Sequence, residues 1–233
     1  MRRFILNKIK KNKKLLIYLK SNWREIRTLL SSKSLLPWKN PIKYQIPWIT
    51  FEANKWLEKY LKPDMTVFEY GSGGSTLFFQ KHVKKIVSIE HNRFWYKKML
   101  KFSKKKNIFF NSYFLIEPEK PIKRNVKEKD NYQSTLKSYS NMIFKKYVNS
   151  INKYPQDYFD VIFIDGRVRN LCVKKSLNKI RQDGIIILDD SEREEYQESI
   201  SLLSRYKRID FYGFGPYRLY PRQTSIWFIN NSD

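Results

Sequence analysis

Four acidic residues lie at or next to the ends of apolar segments that are predicted to form buried strands. They are Glu69, Glu90, Asp165 and Asp189. The carboxyl ends of parallel strands form the crevice in which an open sheet binds its ligands, so we expect these side chains to share one edge. Buried carboxylates are stable only where they accept hydrogen bonds or face cations. The four acids therefore predict a site for a ligand with positive charge.

A glycine-rich segment, Gly71-Ser72-Gly73-Gly74-Ser75-Thr76, follows the first of these acids. It lacks the last glycine of the dinucleotide motif G-x-G-x-x-G and the lysine of the phosphate-binding motif G-x-x-x-x-G-K-[ST]. Glu90 lies 19 residues after Gly71, the distance at which an acid ending the second strand binds both hydroxyls of a ribose. A ligand with a ribose, a positive group and no phosphate is S-adenosylmethionine.

Strands that are apolar throughout alternate with helices from Pro47 onward, which predicts a parallel sheet covered on both faces. The predicted strands are Met65–Tyr70, Lys85–Glu90, Asn107–Phe114, Phe159–Ile164 and Gly184–Leu188, with two more at Lys207–Tyr212 and Ser225–Ile229. The predicted helices are Phe51–Leu61, Thr76–His82, Phe94–Ser103 and Asn170–Arg181. The acids and the glycine loop thus fall at the junctions between strands and helices.

Taken together, the segments Val67–Thr76, Ser88–Asn92, Phe159–Gly166 and Gly184–Asp190 resemble the ordered motifs of class I, Rossmann-like S-adenosylmethionine-dependent methyltransferases. The resemblance covers roughly residues 47–229. It implies an α/β fold of three layers, with a sheet of about seven strands whose last strand is antiparallel. It also implies that Glu69, Gly71 and Gly73 hold the methionine portion of the cofactor and that Glu90 binds its ribose. Ser72, Ser75 and Asp165 are further candidates for contact with the cofactor. His91, directly after Glu90, either stacks near the adenine, acts as a base or lies at the surface, and we favour a place beside the cofactor.

Asp165, Asp189 and Asp190 form a set of oxygen ligands after the fourth and fifth strands. Such a set suits a hard divalent cation such as magnesium. It resembles the site of metal-dependent sugar O-methyltransferases, which implies catalytic roles for Asp165 and Asp189. Those enzymes carry a second Asp where this chain has Arg167. The alternative interpretation is that Asp165 faces the cofactor and the Asp189-Asp190 pair caps a helix beginning near Ser191.

The chain carries 47 Lys or Arg and 22 Asp or Glu, a formal net charge of +25. Residues 1–45 hold thirteen of the bases and one acid, which predicts a basic arm and linker ahead of a domain spanning residues 46–233. Apolar residues recur at helical spacing within residues 1–30, typical of an amphipathic helix on an anionic membrane surface, although docking on its own domain fits equally. The charge also suits nucleic acid.

Three further features bear on the substrate. The interval between the third and fourth strands is long, with one helix predicted through Leu136, Tyr139, Ile143 and Tyr147 and a lid over Lys120–Asn131. Arg167 and Arg169 either bind an anionic substrate or are solvated. Tyr212–Arg218 is either a substrate loop or a long hairpin turn.

The sequence thus favours an S-adenosylmethionine-dependent methyltransferase that acts on a hydroxyl of a sugar or another small acceptor. The alternatives are a methyltransferase of RNA 2′-hydroxyls and a non-catalytic cofactor-binding or membrane-associated module. The lone Cys172 excludes a disulfide scaffold, and no apolar run approaches the length of a membrane span. We therefore expect a cytoplasmic protein, either free or peripheral to the membrane. The oligomeric state is left open.

Overall fold

The structure is a computed structural model that describes residues 41–120, 132–216 and 220–230. The predicted helix of residues 1–30 lies outside the described residues, as do residues 121–131 of the predicted lid and residues 217–219 of the predicted substrate loop. Within the described ranges, no helix is long and apolar enough to cross a lipid bilayer.

Seven strands form one sheet in the order β3-β2-β1-β4-β5-β7-β6. Their bounds are Thr66–Tyr70 (β1), Lys85–Glu90 (β2), Tyr113–Leu115 (β3), Phe159–Ile164 (β4), Ile180–Asp189 (β5), Lys207–Gly213 (β6) and Arg222–Phe228 (β7). β1 to β5 pair in parallel, and β7 runs antiparallel to both β5 and β6. This confirms the predicted sheet, including its antiparallel last strand.

Helices cover both faces of the sheet. Their bounds are Pro41–Tyr44 (α1), Phe51–Tyr60 (α2), Gly74–His82 (α3), Arg93–Lys105 (α4), Lys145–Val148 (α5), Arg169–Ser176 (α6) and Gln197–Leu202 (α7), with 3₁₀ turns at Lys137–Tyr139, Asn149–Lys153 and Glu194–Tyr196. α2 begins where predicted, because the Thr50 hydroxyl accepts a hydrogen bond from the Ala53 amide, 3.4 Å away.

The central strands have buried side chains on both faces because helices pack on each side. Phe68, Ile162 and Ile186 belong to one apolar cluster, and Val67 and Val161 belong to the cluster on the opposite face. Alternating side chains of one strand therefore enter different cores, which explains why β1, β4 and β5 each contain a run of consecutive apolar residues.

Three predicted elements differ from the structure. The third strand is confined to Tyr113–Leu115, the helix after β4 ends at Ser176, and the single helix predicted through Leu136 and Tyr147 is wrong. That region holds two 3₁₀ turns and the short α5, and it is tied to the chain before it by an isolated bridge between Glu119 and Ile143. Its apolar spacing arose from side chains that pack on the core without forming a continuous helix.

The packed domain reaches back to α1, which precedes the predicted domain start at residue 46. The Ile42 side chain is fully buried and packs with Leu77, Met99 and Tyr113. Residues 41–45, assigned to the linker from the sequence, therefore include a short helix that contributes to this small apolar cluster.

Candidate active site

The glycine loop joins β1 to α3 and touches the loop that follows β4. Gly71 has a φ of +95°, and a Cβ atom at this position would lie 2.8 Å from both the backbone nitrogen and the Cα of Gly166. A side chain is therefore excluded by both conformation and space. The amide of Asp165 also donates to the carbonyl of Tyr70 at 3.0 Å. These contacts fix the loops after β1 and β4 against each other.

Glu69 lies behind the glycine loop and does not line the candidate cavity. Its Oε2 accepts hydrogen bonds from the Thr76 hydroxyl at 2.6 Å and the Ser88 hydroxyl at 2.5 Å. Thr76 Oγ1 in turn accepts from the Gly73 amide at 3.0 Å. Glu69, which the sequence predicts to hold the cofactor, is therefore not among the residues that line this cavity; its side chain leaves β1 toward α3 and supports the loop from beneath.

Burial raises the pKa of Glu69 to about 7, although hydrogen bonds from Ser75, Ser88 and Thr76 oppose the shift. The side chain is completely buried, and no cation is among the groups that shift its pKa. Glu69 is thus a structural carboxyl group whose protonated form is favoured by burial.

Glu90 ends β2 and fixes the glycine loop from the other side. Its Oε2 accepts from the Ser72 amide at 3.1 Å and the Ser72 hydroxyl at 2.7 Å, while Oε1 accepts from the amides of His91 and Asn92 at 2.8 and 2.7 Å. Burial alone would raise the pKa of Glu90, but His91 and these donors outweigh it and lower the pKa. Glu90 is therefore a charged hydrogen-bond acceptor at neutral pH.

Asp165 immediately follows β4 and is held by Arg169, the first residue of α6. Arg169 Nη2 donates to Asp165 Oδ1 at 2.7 Å and to its carbonyl oxygen at 3.2 Å. The same guanidinium donates to the carbonyl oxygen of Asp189 and lies over the ring of Tyr196. Arg169 therefore joins the ends of β4 and β5, and its guanidinium already pairs with Asp165 and with backbone carbonyls.

Asp189 and Asp190 are neutralised by arginines. Arg222, the first residue of β7, donates from Nη1 to Asp189 Oδ2 at 3.2 Å and lies 3.7 Å from Asp190 Oδ1, while Thr224 donates to Asp189 Oδ1 at 2.8 Å. Arg193 forms an ion pair with Asp190. Burial raises the pKa of Asp189, and the charge of Arg222 opposes that shift.

This arrangement contradicts the predicted metal site at Asp165, Asp189 and Asp190. Their carboxylates already face guanidinium groups, which a divalent cation would have to displace. Among the described residues, no three His, Cys, Asp or Glu side chains are placed to hold a metal ion. Asp189, which the resemblance implies to be catalytic, has a buried side chain and is not among the residues that line the cavity.

The alternative role, in which the Asp189-Asp190 pair caps a helix at Ser191, is not observed either. The next α-helix, α7, begins at Gln197. Instead, the Asp190 backbone has a φ of +52°, and the chain turns through residues 190–193. The two aspartates therefore serve to anchor Arg222 and Arg193 at the end of β5.

A cavity of about 470 Å³ opens where β1, β2, β4 and β5 end. The strand register explains this placement, since Tyr70 pairs with both Ile89 and Ile164, and Ile164 pairs with Leu188. The predicted site residues that line the cavity are Gly71, Ser72, Gly73, Ser75, Glu90, His91, Asp165 and Asp190. The volume lies within the range of roughly 300–1,000 Å³ typical of small-molecule and cofactor sites.

Several lining residues were missed in the sequence, namely Trp48, Trp95, Leu136, Ser138, Tyr139 and Arg193. Trp95 is fixed by a hydrogen bond of 2.8 Å from its Nε1 to the carbonyl of Ser72. The ring of His91 lies 5.4 Å from that of Tyr139. Of these residues, only Trp95 could have been found from the sequence, because it lies near the start of the helix after the second strand. Residues 136–139 reach the site through the irregular chain before β4, which no sequence pattern predicts.

The groups that line the cavity fit S-adenosylmethionine. Glu90 offers a charged carboxylate at the end of β2, suited to a pair of ribose hydroxyls. Gly73 leaves open space, since a Cβ atom there would approach nothing closer than 3.9 Å, from the Trp95 ring. Aromatic faces at Trp95 and Tyr139 and the carboxylate of Asp165 complete the wall. A cationic sulfonium and a flat adenine ring are complementary to these groups.

Comparison with solved structures shows similar folds at low sequence identity. An rRNA methylase from Streptococcus thermophilus is 11% identical with a TM-score of 0.53, and covers 83% of this chain and 99% of its own. A methyltransferase-like protein from Silicibacter pomeroyi is 17% identical with a TM-score of 0.50, covering 78% and 86%. Precorrin 8w decarboxylase from Methanobacterium thermoautotrophicum is 14% identical with a TM-score of 0.50, covering 82% and 95%.

No protein-family model and no curated protein matches the sequence. The strand order, the antiparallel β7 and the similarity to these structures nevertheless all indicate the same fold. The chain has the fold of the class I S-adenosylmethionine-dependent methyltransferases.

Proposed function

We propose that the protein is an S-adenosylmethionine-dependent methyltransferase that methylates a hydroxyl group of a sugar or another small hydroxylated acceptor. The carrying observation is the cavity at the ends of β1, β2 and β4, where a charged Glu90 and the glycine loop face one space. Glu90 would bind the ribose, and Gly71, Ser72, Gly73 and Ser75 would border the methionine portion.

The cofactor supplies an activated methyl group, whose bond to the positively charged sulfur breaks with both electrons remaining on sulfur. The protein has to bring the acceptor oxygen into line with that bond and to accept the hydroxyl proton. Asp165 is the best placed base, because its side chain is 23% exposed whereas that of Glu90 is 3% exposed and that of Asp190 is 2% exposed. The products are a methyl ether, a neutral thioether and a protonated Asp165.

Arg169 determines how Asp165 works in this proposal. Its hydrogen bond to Oδ1 orients the carboxylate. In this proposal the acceptor hydroxyl is methylated without a divalent cation bound at the aspartates.

Calorimetry with S-adenosylmethionine is the first test. We expect binding by the full chain and at least about tenfold weaker binding by Glu90→Ala, since a charged acceptor of two hydroxyls is lost. Glu58→Ala, on the exposed surface of α2, is the control and should bind as the unchanged protein does. If the protein fails to bind the cofactor, or if Glu90→Ala binds normally, the proposal fails.

Asp165→Asn tests the catalytic step once an acceptor has been found by screening methyl incorporation into sugar, lipid and RNA pools. We expect kcat to fall by about two orders of magnitude or more while the affinity for S-adenosylmethionine changes little. A loss of affinity with kcat preserved would instead make Asp165 a cofactor ligand.

RNA 2′-hydroxyl methylation is the second candidate, favoured by the basic surface of α4. This helix carries exposed Lys97, Lys101, Lys104 and Lys105, and the net charge of +25 provides affinity for phosphates. The similarity to an rRNA methylase is consistent with it. Incorporation of label into RNA but not into sugar or lipid pools would favour this candidate.

A further inference from the structure

A second, polar groove adjoins the candidate active site. It has a volume of about 380 Å³ and lies between residues 133–135, the start of α6 and the turn at Glu194–Tyr196. The two cavities share Gly166, Arg167 and Arg169, which follow Asp165 directly in the chain. A molecule in the groove would therefore be within reach of the Asp165 carboxylate.

The walls of this groove are held together by side-chain hydrogen bonds. Thr135 Oγ1 donates to Glu195 Oε2 at 2.7 Å, which fixes the 133–135 segment to the turn. Asn170 Nδ2 donates to the carbonyl of Glu195 at 2.8 Å, and Ser199 Oγ donates to Asn170 Oδ1 at 2.6 Å. The groove is thus formed by three cross-linked parts of the chain.

Two acids line this groove, and the charge of Glu195 is compensated. Glu195 accepts the Thr135 hydroxyl and lies 3.6 Å from Arg193. Burial alone would raise the pKa of Glu195, but Thr135, Tyr196 and Arg193 lower it overall. Glu198, the other lining acid, is exposed at the rim.

Arg167 differs from Arg169, the other arginine that lines both cavities. The guanidinium of Arg169 is taken up by Asp165 and by backbone carbonyls. Arg167 Nε, in contrast, is buried and has no hydrogen-bond partner. A buried donor of a charged group without a partner is unfavourable, and an oxyanion is the ligand that a guanidinium pairs with most strongly.

We propose that this groove binds an anionic group of the acceptor, a phosphate or a carboxylate, and that Arg167 is the residue that recognises it. The acceptor would be a small hydroxylated molecule whose anionic group lies beside Arg167 while its hydroxyl reaches Asp165 across Gly166. This inference rests on the proposed function, since it assigns the acceptor class of the same active site.

The test follows the Nε–H signals of arginine in ¹⁵N-labelled full-length protein. Inorganic phosphate and acetate are titrated separately at constant ionic strength, with sodium chloride as the reference. We expect saturable movement of one signal that is missing from the spectrum of Arg167→Gln. Whichever anion, phosphate or acetate, saturates this signal at the lower concentration identifies the group that Arg167 recognises as a phosphate or a carboxylate.

Affinities measured by calorimetry provide the second readout. Arg167→Gln should bind the oxyanion at least about tenfold more weakly, while Arg181→Gln, which removes an exposed arginine paired with Asp160, should bind as the unchanged protein does. The inference is overturned if neither oxyanion moves the Arg167 signal, if chloride moves it equally, or if both variants lose affinity alike.

S-adenosylhomocysteine binding separates this inference from the proposed function. Oxyanion binding at Arg167 in a protein that does not bind S-adenosylhomocysteine would refute the proposed function alone. S-adenosylhomocysteine binding without oxyanion binding would refute the groove alone.

Discussion

Two buried arginines supply positive charge to the aspartates at the ends of β4 and β5. Arg169 and Arg222 lie among Asp165, Asp189 and Asp190, and each guanidinium is less than a tenth exposed. The sequence predicts that these acids face a ligand with positive charge, whereas in the structure the positive charge beside the three aspartates comes from arginines of the chain itself. It could not show that the charge comes from Arg222, because this residue lies 33 positions after Asp189 and reaches it only through the antiparallel pairing of β7 with β5.

Removing Asp189 should destabilise the fold. Asp189→Ala leaves the buried Arg222 without its main partner, which costs about 3–5 kcal/mol in the free energy of unfolding. Urea denaturation measures this loss. The double variant Asp189→Ala with Arg222→Met should recover part of it, since the uncompensated charge is also removed. A loss below about 0.5 kcal/mol for Asp189→Ala would contradict the buried pair.

Glu69 should make stability depend on pH. Its pKa is about 7 in the folded protein and lies near 4.5 when exposed, so the folded state holds the proton more tightly. The contribution of Glu69 to stability is therefore present below pH 4.5 and is lost as the pH rises through about 7. Glu69→Gln should accordingly be more stable than the unchanged protein at pH 8, by about 1–3 kcal/mol.

The measurement is the difference in unfolding free energy between the two proteins at pH 5 and at pH 8, obtained from urea titrations. Glu58→Gln, at an exposed position of α2, serves as the control and should show no such difference. Equal stability differences at both pH values would mean that Glu69 titrates normally in the folded protein.

At the scale of elements, the two glycines of the loop provide a matched pair of substitutions. Gly71→Ala forces a side chain into a left-handed conformation and against Gly166, so it should reduce stability by about 1–3 kcal/mol. Gly73→Ala meets no atom within 3.8 Å and should leave stability nearly unchanged while weakening cofactor binding, because Gly73 lines the cavity. Thermal unfolding and calorimetry test the two variants. Comparable stability for both would show that the contact between the loops is not rigid.

The strands of the sheet centre were predictable because each is an apolar run that ends in a turn signal. β1, β2, β4 and β5 all fall where the sequence places them, with β5 beginning four residues early. The edge strand β3 and the chain between Lys137 and Lys153 were not predictable. Their apolar residues pack from short, irregular turns, and no single helical or strand period describes such turns.

At the scale of the whole molecule, the described domain brings together the acids that are far apart in sequence, whereas residues 1–40 are not among the described residues. Sequence analysis predicts residues 1–30 as an amphipathic helix. Deleting them should abolish sedimentation with vesicles of mixed phosphatidylserine and phosphatidylcholine, because both the apolar stripe and the lysines are lost.

Vesicles of phosphatidylcholine alone are the control, since they lack the negative charge and should bind even the full chain weakly. Affinity for S-adenosylmethionine should persist after the deletion, because the cavity is built from residues 48–193. Unchanged binding to the anionic vesicles would refute membrane binding by residues 1–30. The lysines of α4 would then be the next candidates for the contact with the vesicles.

The contact between Gly71 and Gly166 has a consequence for altering the specificity of the protein. A side chain at position 166 would also collide with the Tyr147 hydroxyl, 1.9 Å from the Cβ position, so both residues are barred from variation. In the proposed function, new acceptors would therefore be accommodated at the 133–135 segment and at Arg167, away from this fixed contact. The cofactor would be held at the glycine loop, so acceptor and cofactor recognition would be open to separate redesign.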